Sequence, residues 1–141
     1  MILPDTLKYF ISDDEFNTQI NLPKKLKCTM FGKNFNKQIN IPNNLKYLSF
    51  GDYFNKPIIL PTTLTHLSLG MRFKQQIILP NIKYLKINCN HKYILNNLPL
   101  TIKKINFGHS FNKYIHLPKK LKYLMFSDSF NKQITFHEGL L

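Results

Sequence analysis

Five histidines, two cysteines and seven carboxylates are the side chains of this 141-residue chain that could do acid–base, nucleophilic or metal chemistry. Their spacing argues against all three. His66, His91, His109, His116 and His137 are scattered, with no Ser-His-Asp or Cys-His arrangement, phosphate loop or zinc-ligand spacing around them. Cys28 and Cys89 form no metal-ligand pair and are too distant for a disulfide, so both are read as free thiols in a reducing compartment. The few carboxylates fall mostly in turns, three of them together as Asp13, Asp14 and Glu15. No catalytic residue, metal site or cofactor is expected.

Lysine and tyrosine offer chemistry of another kind, that of binding. Tyr9, Tyr47, His66, Tyr84 and Tyr123 recur at one position of a repeated frame, with Cys28 and Lys104 completing the series. Tyrosine presents a large contact area at low entropic cost and is enriched at interfaces. Directly before that position run Lys8, Lys27, Lys46, Lys83, Lys103 and Lys122, with Thr65 the one interruption. Lysines about 4.8 Å apart repel one another by about 1 kcal/mol per pair in water, so a bound anion would relieve the row. The expected function is a non-catalytic protein-interaction module, a substrate-recognition element among the forms it could take. Its predicted contacts are Tyr9, Tyr47, His66, Tyr84, Tyr123, Lys27, Lys46, Lys83 and Lys122, facing an acidic protein partner. The alternative is binding of a polyanion or nucleic acid through the lysine row. The net charge of +13 permits it. Arg72 is the only arginine, though, and arginine is favoured where phosphates or base edges are gripped bidentately. Absence of Ala, Val and Trp, with abundant Lys, Asn, Ile, Phe and Tyr, points to AT-rich coding as a second source of the lysine excess.

The elements that would position these rows come from a repeat. Pro4, Pro23, Pro42, Pro61, Pro80, Pro99 and Pro118 stand 19 residues apart. A fixed period of this size marks a solenoid whose units stack on one another. Three, six and eight residues after the proline come apolar positions, as in Leu45, Leu48 and Phe50, spelling L-x-x-L-x-F. This is the spacing of a leucine-rich-repeat strand, and the last two positions share one face of it. Gly32, Gly51, Gly70 and Gly108 follow directly, where glycine suits a bend or φ > 0. A return leg F-N-x-x-I-x-L-P closes the unit, with Phe16, Phe35, Phe54, Phe73, Phe111 and Phe130 as an apolar column. The asparagine after each phenylalanine is expected to bond backbone groups of the next coil. One unit cannot offset its own ordering entropy, so each must bury its faces against its neighbours.

The prediction is therefore a mainly β, single-domain, leucine-rich-repeat-like solenoid over residues 1–141. It has about seven 19-residue units, short parallel strands, and little or no convex helix. The fifth unit departs from the frame. After Pro80 its apolar positions come one residue early, and the longer Asn88-Cys89-Asn90-His91-Lys92-Tyr93 replaces the turn, with Tyr93 expected in the phenylalanine column. At the far end Phe136 and His137 take the places of the leucine and proline, and residues 138–141 begin an eighth unit. Neither end reads as a polar cap, so the expectation is either end-to-end self-association through strand edges or a flanking segment that covers them. No apolar run approaches the length of a membrane span and no signal-peptide pattern precedes Leu3, so an intracellular, cytoplasmic location is expected.

Phe35-Asn36-Lys37-Gln38-Ile39 and Phe54-Asn55-Lys56-Pro57-Ile58, with the L-P-x-x-L-x-x-L-x-F-G that follows, resemble FNIP repeats. Phe54-Asn55-Lys56-Pro57-Ile58 carries that family's F-N-x-P-I core with its proline; the other regular units have Gln or Tyr in its place. The resemblance covers nearly the whole chain. It implies a leucine-rich-repeat-like fold of a kind found in social amoebae and giant DNA viruses, the host cell being the compartment in the viral case. In that family the repeats often follow an F-box, implying substrate recruitment to a ubiquitin ligase. Here the repeat starts at Leu3 and Pro4, so the resemblance implies a repeat-mediated binding role.

Overall fold

Each unit begins by closing a β-turn on its proline. The N–H of Leu7 donates to the carbonyl of Pro4 at 3.0 Å, Leu26 to Pro23 at 3.1 Å, Leu45 to Pro42 at 3.1 Å and Leu121 to Pro118 at 3.0 Å. The fixed φ of proline narrows the entry to this turn. The chain then runs straight into a short strand. In the computed structural model, which describes residues 1–134, these are β1 (Tyr9–Ile11), β2 (Cys28–Met30), β3 (Tyr47–Ser49), β4 (His66–Leu69), β5 (Tyr84–Ile87), β6 (Lys104–Phe107) and β7 (Tyr123–Met125). They form one seven-stranded sheet in chain order, every pair parallel. The result is a β-solenoid, as the 19-residue period predicts. Phe136, His137 and the start of an eighth unit lie outside the described residues. Among the described residues, no helix is long and apolar enough to cross a membrane.

The ladder extends one residue ahead of the strands. The carbonyl of Lys8 accepts from the N–H of Lys27 at 2.8 Å and of Cys28 at 3.1 Å, and that of Lys103 accepts from Lys122 at 2.8 Å and Tyr123 at 3.0 Å. The lysine row is therefore locked into the sheet by its backbone while its side chains stand largely in solvent.

Between sheet and return legs the apolar columns stack like on like. Leu26, Leu45, Leu64 and Ile102 are fully buried, as are Leu85 and Ile105 on the strands. Phe16, Phe35, Phe54 and Phe73 stack with ring centroids 5.9, 6.0 and 6.1 Å apart, nearly parallel. A second file packs against it: Phe31 lies 4.0 Å from Phe35, and Phe50 3.6 Å from Phe54. Offset stacking of this kind contributes about 0.5–1.5 kcal/mol per pair beyond burial.

Two polar devices fix the turn side. The asparagine ladder forms: Asn17 Oδ1 accepts from the N–H of Asn36 at 2.9 Å, Asn36 from Asn55 at 3.0 Å, and Asn55 from the N–H of Lys74 at 2.9 Å. Glycine serves a different need from positive φ, which none of Gly32, Gly51, Gly70 and Gly108 adopts. A Cβ on Gly51 would sit 2.6 Å from Lys33 Cα and collide with the carbonyl of Gly32. The previous coil simply passes too close for a side chain.

The fifth unit breaks both devices. Its turn is a residue shorter, with the Ile82 N–H bonding Pro80. Its return leg holds the one helix among the described residues, α1 (Lys92–Asn96), which buries Ile94 and Leu95. Tyr93 does not take the phenylalanine place. It sits on α1, exposed, while the ring of His91 lies 5.9 Å from Phe73 and continues the column. The extra residues are wound into the helix, which carries Tyr93 outward. Lys74 has no side-chain acceptor to pass the ladder on, so Asn90 restarts it toward Asn112 at 3.2 Å.

Thr29 is fully buried in the column of Phe10 and Leu48, and its hydroxyl has no hydrogen-bond partner. An unpartnered buried hydroxyl costs about 1–3 kcal/mol. Thr29→Val is expected to raise unfolding stability by about 1 kcal/mol, whereas Phe54→Ala is expected to lower it by about 3–5 kcal/mol. Urea denaturation of the two variants checks both signs.

Candidate functional site on the strand face

Parallel pairing places the outward residues of successive strands in direct register: Tyr9, Cys28, Tyr47, His66, Tyr84, Lys104, Tyr123. From Tyr47 onward the column is continuous. Tyr47 and His66 stack at 4.2 Å, and His66 and Tyr84 lie 5.7 Å apart. Lys104 Nζ then sits between two rings, 5.7 Å from Tyr84 and 5.9 Å from Tyr123. The predicted Tyr47, His66, Tyr84 and Tyr123 are thus brought together. Tyr9 is set apart from them by Cys28, whose short side chain cannot bridge the two neighbouring units.

Beside this column lies a concavity of about 280 Å³ lined by Met30, Ser49, Ser68 and Lys86 along with Cys28 and the rings. Two serines in adjacent units leave the floor low. Burial, then the charge of nearby Lys83, push the pKa of His66 down. Its Nδ1 lies 2.8 Å from Thr65 Oγ1, and that hydroxyl donates to the carbonyl of Lys46 at 3.1 Å. The threonine that interrupts the lysine row therefore holds the one histidine of the face. Burial pushes the Cys28 thiol up. The predicted Lys27, Lys46, Lys83 and Lys122 flank the column, Lys27 half-buried and the other three exposed. Among the described residues, no group of histidines, cysteines and carboxylates could hold a metal ion.

A second surface escaped the sequence reading. On the return side, Ile59 and Ile78 are 90% and 83% exposed, and together with Tyr93 they line an open groove of about 590 Å³. The corresponding position in the other described units is Ile2 at the N-terminal end, then Asn21, Asn40, Asn97 and His116. The signal was in the text: two adjacent inner units put isoleucine in a column whose other inner members are polar. On the turn side, Arg72 stacks over Tyr53 at 4.1 Å, which gives the single arginine a local partner.

Comparison with known proteins bears on this geometry. The family model described as FNIP Repeat matches residues 16–53, 35–71 and 54–90, overlapping stretches that together span more than half of the chain. Curated protein sequences return no match. Among solved structures, the chain is similar to one described as the crystal structure of CroV588, a novel circular LRR protein from a giant virus. The TM-score is 0.69 at 35% sequence identity, covering 99% of this chain and 26% of that one. The chain thus spans about a quarter of the length of that protein.

Cys89 is buried, and burial pushes its pKa from 9.0 up to about 11. A raised thiol pKa adds stability that is full below the unfolded value and lost as pH rises through the folded one. Stability is therefore expected to fall between about pH 9 and pH 11, and less steeply in Cys89→Ser. Urea midpoints across that range check it. Ile59→Asn with Ile78→Asn restores the polar column and is expected to change stability by less than about 0.5 kcal/mol, read from the same midpoints.

Proposed function

The chain belongs to the FNIP repeat family, and from that premise we propose that its strand face docks a protein partner without catalysis. The proposed module is the whole of residues 1–141, and its partner is an acidic protein segment laid along the sheet. The observation that carries this reading is the continuous outward column of Tyr47, His66, Tyr84, Lys104 and Tyr123 beside the row of exposed lysines. Neighbouring side chains already hold these rings in place, so little rotamer entropy is lost when a partner arrives. The lysines add a field that speeds encounter with an acidic surface and rejects a basic one.

Single-stranded nucleic acid is the less favoured ligand of the same face. Such binding stacks successive bases on free ring faces, and here the ring faces from Tyr47 to Tyr123 are largely turned to one another. The similar giant-virus protein, described as a circular LRR structure, supports a second role for the sheet edges of β1 and β7: pairing with further coils. Recruitment of a substrate for modification is the form of partner binding that the family's F-box associations suggest.

Replacing Lys27, Lys46 and Lys122 with Glu is expected to abolish partner capture from lysate of the native cell while leaving the thermal midpoint within a few degrees. Capture by the parent chain is expected to persist at moderate salt. Unchanged capture by the triple variant would rule out the lysine-flanked face.

A further inference from the structure

The outward column contains one gap. From Tyr47 to Tyr123 every unit contributes a ring or a cation that touches the next. Ahead of Tyr47 comes Cys28, and ahead of Cys28 comes Tyr9, in unbroken register. Tyr9 is 66% and Tyr47 45% exposed. Two strand spacings separate the backbones of Tyr9 and Tyr47, about 9.6 Å. A ring in van der Waals contact with both needs about 3.5–4 Å on each side. The space over Cys28 is therefore wide enough for one aromatic ring and too narrow for two. Cys28 and Met30 line the end of the neighbouring concavity nearest this space, and methionine packs favourably against ring edges. Lys8, Lys27 and Lys46, one residue before Tyr9, Cys28 and Tyr47, flank it with three positive charges.

We propose that the gap over Cys28, between Tyr9 and Tyr47, receives an aromatic side chain from an acidic segment of the partner protein. This rests on the strand-face reading above and adds to it the chemistry of the anchor. The incoming ring completes the stack of the column, and carboxylates on either side of it meet the three lysines. A single bare slot favours one aromatic anchor of a protein over the run of stacked bases that a nucleic acid would bring.

The test uses a synthetic peptide with one tryptophan between glutamates. The chain itself has no tryptophan, so indole emission reports on the peptide alone. Saturable binding with a blue shift is expected. Cys28→Tyr, which fills the gap with the residue most common in this column, should weaken binding at least tenfold, while Asn40→Tyr, exposed on the return side, leaves it unchanged. Bound peptide should also slow alkylation of Cys28 by iodoacetamide, read by mass spectrometry. The proposal is overturned if Cys28→Tyr binds as tightly as the parent chain, if an alanine-for-tryptophan peptide competes equally well, or if no binding occurs. A short oligothymidylate that binds more tightly than the peptide and is lost in Cys28→Tyr would give the gap to a nucleobase instead. Loss of binding on reversing Lys27, Lys46 and Lys122, without loss in Cys28→Tyr, would overturn the anchor and leave the strand-face reading standing.

Discussion

Everything in this molecule follows from one coil lying directly on the next in a parallel ladder. The step between coils is set by backbone hydrogen bonds, about 4.8 Å, and no side chain can alter it. Any column of side chains must therefore accept its own kind at that spacing. Flat rings tolerate it, so phenylalanine fills the interior in two files. Asparagine tolerates it, because its Oδ1 reaches the next backbone N–H. At Gly32, Gly51 and Gly70, even a Cβ would strike the backbone of the coil before. Lysine tolerates the step least, and its row persists because the carbonyls carry the ladder while the charged ends spread into water.

The same constraint explains what the sequence disclosed. A residue that must repeat in space also repeats in the text, so strands, interior columns and ladder were legible from Pro42 to Ile58 alone. Where the text loses its period, inference lost its footing. After Asn88 the count of residues favoured Tyr93 as the stand-in for phenylalanine, yet the turn of α1 moves it outside and His91 enters instead. The glycines were legible as necessary and misread as to cause, since a close approach between coils leaves no trace within one coil. Ile59 and Ile78 leave a fainter trace, because their column is informative where it disagrees and not where it repeats.

The binding face was only partly legible for a related reason. Alternation along a strand shows which residues point outward, and the repeat shows which of them share a column. Whether neighbours in a column engage each other or stay free depends on rotamers that periodicity does not fix. Lys104 looked like an exception to a tyrosine series, yet it bridges Tyr84 and Tyr123. Cys28 looked like another, and it is the one place where the series is open.

The irregular fifth unit has a consequence for how the array comes apart. Stacked repeats melt as a chain of nearest-neighbour couplings, so a weak coupling divides the whole into blocks. Between the fourth and fifth units the asparagine rung is missing at Lys74, and the stack passes through His91, whose two ring nitrogens are buried without partners. That joint therefore rests on the strand ladder, where β4 and β5 pair over four residues, against three in each joint before it. The aromatic column of the outer face crosses this boundary from His66 to Tyr84. A ligand lying across both units would act as a splint at the joint where the turn-side devices lapse.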